Sequence, residues 1–290
     1  MKIAFSPCPN DTFVFHAWTH GLIDGAPPVD VTYADIDVTN TAAEKGEFDV
    51  VKVSYAALPW LLDEYALLPC GGALGRACGP LVLTRGGMST VDGRTVAVPS
   101  ERSTAYLLFR LWASGQRPAR IDVVPFASIM PGVRGGRYDA GLVIHEARFT
   151  YPSYGLSALV DLGEWWESDT GLPIPLGAIL ARRALDAAAL TRVVRESVEY
   201  AWANPSASAA YVAEHADEMS PDVQRRHIEL YVNEFTRDLG DEGYAAATAL
   251  LERAYRAGLT PASPKLRQAS RLSAKARSSA AILRASPRSG

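Results

Sequence analysis

Cysteine is scarce in this sequence. There are three, Cys8, Cys70 and Cys78, with no C-x-x-C pair among them. That set offers neither a disulfide framework nor a zinc ribbon and points to a reduced, cytoplasmic setting. Long apolar runs are missing as well, since no stretch nears the roughly 18 residues that a membrane helix needs. The opening MKIAFSPCPNDTF reaches its prolines after one Lys and three apolar residues, too soon for a signal-peptide core. An excess of one charge is also lacking: 29 basic residues stand against 32 acidic ones, which argues against a nucleic-acid binder. Finally, G-x-G-x-x-G, the P-loop, G-x-S-x-G and H-E-x-x-H are all absent, which removes the commonest nucleotide, hydrolase and zinc-protease readings. GGALG at 71–75 imitates a nucleotide loop but leads into a strand-like segment rather than a helix.

What is present is an α/β pattern with a core of ordinary size, 48% of the 290 residues being hydrophobic. KIAFS, VDVTYADI and VVKVS read as strands, and NDTFVFHAWTHGLI, TAAEKGEFD and YAALPWLLDEY as the helices among them. Asn10, Asp11 or Thr12 is the expected N-cap of the first helix, with Gly21 as its stop. GPLVLTRGG runs outward as a strand, and the alternation then restarts: RTVAVPS, STAYLLFRLWASG, IDVVPF and AGLVIHE. LPIPLGAILARR returns the chain as a strand, and everything from Leu185 to Leu259 is helical in pattern. The expectation is a discontinuous domain of residues 1–87 and 176–264 enclosing a second α/β domain of 88–175, with crossovers near 86–90 and 172–178. Two crossings of this kind are the plan of hinged proteins that clamp a ligand. Residues 265–290 carry seven Lys or Arg and no acid, the composition of a solvated, disordered tail.

Ligands of α/β sheets bind beyond the carboxyl ends of strands, where helix N-termini also point. The strands here end at Ser6, at Ser54, before Ser103 and Thr104, and at His145. Any one hydroxyl could be a plain helix cap; their recurrence around one cleft argues for a binding site. His145 ends a buried strand and is either a structural strand end or a group with chemistry to deliver, imidazole being the side chain that titrates near neutrality. His16 and His20 have metal-ligand spacing but no third ligand, and Cys8 has no base placed beside it by the sequence, so metal and thiol mechanisms are both disfavoured. His215 and His227 sit within amphipathic helices and read as packing or surface residues.

SPCPNDTFVFHAW, DVTNTAAEKGEFDVVKVSY, SERSTAYLLFRL, DAGLVIHEARFTY, GLPIPLG and LYVNEFTRDLG, in that order, resemble the 1,4-dihydroxy-6-naphthoate synthase family of the futalosine route to menaquinone. The resemblance spans residue 1 to about 260 and leaves out only the basic tail. It implies two α/β domains with a cleft between them, similar to the type II periplasmic binding proteins. It also implies a lyase that converts cyclic dehypoxanthinyl futalosine to the naphthoate without metal or redox cofactor. His145, in the I-H-E motif, would be its general base. Ser54, Ser103 and Thr104 would be donors to the substrate's carboxylate and hydroxyls, with Asn10 and Asn40 as further polar contacts. A small molecule is then the partner, with no nucleic acid and no membrane span, and the oligomeric state is left open, a homodimer included. The rival readings are the sister chorismate dehydratase, from which the I-H-E-x-R-F stretch separates it, and a solute-binding protein, against which the lack of a leader counts. A transcription regulator's effector domain would need a DNA-binding helix-turn-helix for which the chain has no room.

Overall fold

The computed structural model describes residues 1–145, 147–216, 220–262 and Leu266. The expected tail, save Leu266, and Glu146 of the I-H-E motif lie outside the described residues. The chain opens with β1 (Lys2–Phe5), α1 (Pro9–Thr19), β2 (Asp30–Tyr33), α2 (Ile36–Glu44) and β3 (Val50–Ser54). The short α3 (Leu58–Leu61), β4 (Tyr65–Leu67) and β5 (Ala73–Gly75) follow. Next come β6 (Leu81–Thr84), β7 (Thr95–Val98), α4 (Thr104–Trp112), β8 (Arg120–Val123), α5 (Phe126–Arg134) and β9 (Ala140–Val143). After them stand α6 (Ala147–Thr150), β10 (Ser157–Asp161), α7 (Leu162–Thr170) and the long β11 (Ile174–Arg182). The rest is helical: α8 (Ala187–Ala203), α9 (Ala209–His215), α10 (Pro221–Tyr231), α11 (Glu234–Arg237) and α12 (Gly240–Arg256).

Two mixed sheets result. The first runs β2-β1-β3-β11-β4 with β5 also paired to β11, and the second runs β10-β6-β9-β7-β8. Each contains the same parallel trio, β2-β1-β3 in one and β8-β7-β9 in the other, flanked by an antiparallel strand beside its third member. That shared order is why the sequence pattern restarts at RTVAVPS. The sheets also show where the chain passes between them: first at 76–80, ahead of the expected 86–90, and again at 162–173. GPLVLTRGG contributes β6 to the second sheet because its register with β9 and β10 pairs the strand on both edges.

The two passages touch. A Cβ on Gly79 would stand 2.0 Å from the Gly163 nitrogen, so only glycine lets the backbones come this close. The Leu162 N–H donates to the Pro80 carbonyl at 2.9 Å. Arg148 braces the pair, donating at 2.8 Å to the Ala77 and Gly79 carbonyls while its guanidinium lies 2.6 Å from the Asp161 carboxylate.

Local sequence explains the helices that matter to the site. Helix α1 is buried from Pro9 to Trp18, as a helix packed among α8, α9 and α10 must be. Its N-cap is Cys8 rather than the expected Asn10, Asp11 or Thr12. Pro9 is already preset for the first turn, and the Asp11 carboxylate is engaged elsewhere. Helix α4 begins as the sequence suggests, with the Ser103 hydroxyl accepting from the Tyr106 N–H at 3.1 Å. None of the helices is long and apolar enough to cross a membrane, among the described residues.

Candidate active site

Strand ends from both sheets converge on one cavity of about 100 Å³. Ser6, after β1, and Ser54, at the end of β3, come from the first sheet. Ser103 and Thr104 at the start of α4, and Ile144 and His145 after β9, come from the second. Asn10 and Asp11 of α1, Lys52 of β3, and His227 and Tyr231 of α10 complete the polar wall. Ile36, Pro80 and Leu176 supply apolar surface. A second hollow, of about 370 Å³, shares Ile36, Ser103, Ile144 and His145 with the first. His145 thus stands where the two spaces adjoin.

The His145 backbone is left-handed, with φ of +54°. For a residue with a Cβ this conformation costs on the order of 1 kcal/mol and is kept where surrounding structure imposes it. It swings the imidazole out of the strand's alternation. The ring meets the edge of Phe126 at 5.8 Å between centroids and lies parallel to His227 at 6.4 Å. Its Nδ1 is 3.4 Å from the Cys8 sulfur, so a side chain carried by the second sheet is engaged by the first helix of the other half.

Beneath the cavity lies a buried charge pair. The Lys52 ammonium donates to Asp11 Oδ1, and the side chains are 6% and 0% exposed. The carboxylate also accepts from the Ser6 hydroxyl at 2.6 Å, the Ser6 N–H at 3.3 Å and Asn10 Nδ2 at 2.8 Å. Multiple donors of this kind are what make a buried ion pair tolerable. Lys52 finds room because residue 177 on the neighbouring β11 is glycine: a Cβ there would sit 2.8 Å from Lys52 Cε. Asn10 Oδ1 in turn accepts from His227 Nε2 at 3.0 Å, which extends the network to α10.

Of the residues singled out from sequence, Asn10, Ser54, Ser103, Thr104 and His145 line the cavity together. Asn40 stands behind that wall, its Oδ1 accepting from the Ser54 N–H at 2.8 Å and its Nδ2 donating to the Ser54 hydroxyl at 3.2 Å. The Ser54 hydroxyl acts there as acceptor, so its own proton is not used in this pair of bonds. Thr104 ties the halves together, donating to the Leu176 carbonyl at 2.8 Å and accepting from the Ala56 N–H at 3.2 Å. His16 and His20 meet at a tilt, 4.4 Å between centroids, beside Tyr211.

Sequence reasoning took Asp11 for a cap and His227 for a packing or surface residue, whereas both line the cavity, and it missed Lys52 and Tyr231 altogether. A lysine inside the otherwise apolar VVKVS was a usable signal, because a charge in a buried strand needs a partner. His227 and Tyr231 are four apart and therefore share one face of α10. Burial shapes the chemistry of this face. It drives His227 down to about 3, with His145 and Lys52 adding to the effect, so the ring is neutral. It also raises the Tyr231 phenol and pushes the Cys78 thiol up to about 12, leaving both protonated.

Residues 1–256 match the model of a family described as menaquinone biosynthesis. This chain belongs to that family. A 1,4-dihydroxy-6-naphthoate synthase of Streptomyces coelicolor is 65% identical to it over 90% of this chain and 95% of its own length. The enzyme of the same name from Thermus thermophilus is 46% identical over 91% of this chain and 97% of its own. Among solved structures, a protein of Archaeoglobus fulgidus superposes with a TM-score of 0.82 at 33% identity, over 89% of this chain and 97% of that one. The periplasmic aliphatic sulphonate binding protein of Escherichia coli shares the fold, with a TM-score of 0.67 at 14% identity over 92% of each chain. The family member therefore has the architecture of periplasmic binding proteins, as the double crossing suggests.

Proposed function

We propose that this chain is a carbon–carbon lyase that forms 1,4-dihydroxy-6-naphthoate from cyclic dehypoxanthinyl futalosine, the activity that the names of its Streptomyces and Thermus relatives suggest. The two sheets are the halves that close over the substrate, and His145 is the general base. One observation carries the assignment of the base: His145 stands at the junction of both hollows, in a backbone conformation that a residue with a side chain seldom adopts. The base removes a proton beside a carbonyl, and expulsion of the sugar-derived carbons is drawn forward by formation of the aromatic naphthalenediol. A positioned imidazole suits that step as a general base, and closure of the halves keeps water from the reacting carbons. Ser54 and Ser103 present hydroxyls to the substrate. The sparse, unpaired cysteines support a cytoplasmic site of action.

Incubation of the protein with cyclic dehypoxanthinyl futalosine, followed by chromatography, tests the proposal. Appearance of the naphthoate supports it. Tight binding without turnover would instead make the chain a solute-binding protein of the same fold.

A further inference from the structure

Three buried side-chain polar atoms lack a hydrogen-bond partner among the described residues: His16 Nδ1, His227 Nδ1 and the Tyr244 hydroxyl. His227 is the one of these three that lines the cavity, and its side chain is almost wholly enclosed, the residue being 1% exposed. A buried polar atom left unsatisfied costs about 1–3 kcal/mol, so its retention calls for an explanation.

The network fixes what that atom is. The Asp11 carboxylate only accepts, so the amide nitrogen of Asn10 must face it, and the Asn10 oxygen must face His227. His227 Nε2 therefore carries the ring proton and donates it to Asn10. Nδ1 is left with a bare lone pair. Lys52, held against the same Asp11, puts positive charge nearby, and His145 lies parallel at 6.4 Å. Both oppose a second proton on the ring. In the cavity wall, His227 thus holds a neutral acceptor close to hydroxyl-bearing side chains.

We infer that His227 is a substrate-contacting residue whose Nδ1 accepts a hydrogen bond from a substrate hydroxyl, and that Asn10 and Asp11 position it by fixing its tautomer. The inference rests on the proposed function for the identity of the substrate and adds an orientation to it. A lone pair repels a carboxylate, so the sugar-derived hydroxyls lie toward α10. The aryl carboxylate lies toward the donor Ser54.

The tautomer is read in the free protein from proton–nitrogen correlation spectra of labelled histidine, with His227→Phe supplying the assignment. The expected result is a neutral ring protonated on Nε2; a proton on Nδ1 overturns the inference whatever the protein's activity. Cyclic dehypoxanthinyl futalosine is then added to the His145→Ala protein, in which turnover is suppressed. A hydrogen bond moves the His227 Nδ1 resonance, and bound substrate that leaves it in place overturns the inference. In steady state, loss of a bond made alike in ground and transition states should raise KM by roughly tenfold in His227→Phe, with kcat little changed. His227→Asn, which returns an acceptor near the ring's Nδ1, should recover part of that loss. A fall in kcat alone, with no change in KM, would count against a ground-state contact. Should the wild-type protein fail to act on this substrate, the proposed function falls, and the tautomer still decides the assignment of His227 as an acceptor.

Discussion

Lys52 and Asp11 face each other with their side chains 6% and 0% exposed, one on the third strand of the first sheet and the other on the first helix. The two members are not equal. Asp11 has donors besides the lysine, in Ser6 and Asn10, whereas the hydrogen bond that Lys52 makes here is the one to Asp11. Asp11→Ala should therefore lower stability by about 3–5 kcal/mol, the cost of an uncompensated buried charge. Lys52→Met should cost distinctly less. Urea unfolding of both variants makes the comparison, and equal losses would contradict this account.

Replacing the imidazole at 145 should separate chemistry from folding. His145→Ala is expected to retain the unfolding midpoint and substrate affinity while kcat falls by roughly 10²–10⁴, the usual worth of one positioned base. A variant with most of its turnover intact would return His145 to the role of a strand end.

The hydroxyls divide by what already engages them. Thr104 is committed to Leu176 and Ala56, so Thr104→Val strands a buried carbonyl and N–H and should cost about 1–3 kcal/mol of stability. Ser54→Ala gives up a proton not used within the wall and should act mainly on KM. Denaturation curves and initial rates on the two variants should show opposite emphasis.

His227 predicts a pH dependence of folding. Its native pKa of about 3 lies below the ordinary 6.5, so below 6.5 the unfolded chain takes up a proton that the native chain refuses. The contribution is complete above pH 6.5 and is lost as pH falls from there toward 3, at about 1.4 kcal/mol per pH unit. Between pH 7 and pH 5 the wild type should lose about 2 kcal/mol more than His227→Phe. Unfolding free energies that decline in parallel would show that the ring is protonated in the native state.

Much of this could be read from residues alone. The alternation of strands and helices, the restart at RTVAVPS and the hydroxyls at strand ends all leave local marks, because each follows from periodicity or capping. Pairing does not. GPLVLTRGG looks like the last strand of the first half, and only its register with β9 and β10 places it in the second sheet. The same limit hid the pairing of Asn10 with His227, which are 217 positions apart yet share a hydrogen bond. Asn40 was found for the right segment, but nothing local distinguishes an amide that lines a cavity from one that holds the serine lining it.

Gly79 and Gly163, backbone against backbone, hold the two connections between the sheets together, so that in the proposed closure they would bend as a single leaf. Two separated strands could twist or slide independently; two in contact leave little but rotation about the line that joins them. Atoms then travel in proportion to their distance from that line. The bracket across it is Arg148, three positions along the chain from His145. In the proposed closure over substrate, the outer rim would accordingly sweep through a wide arc while the imidazole, near the pivot, would keep its station.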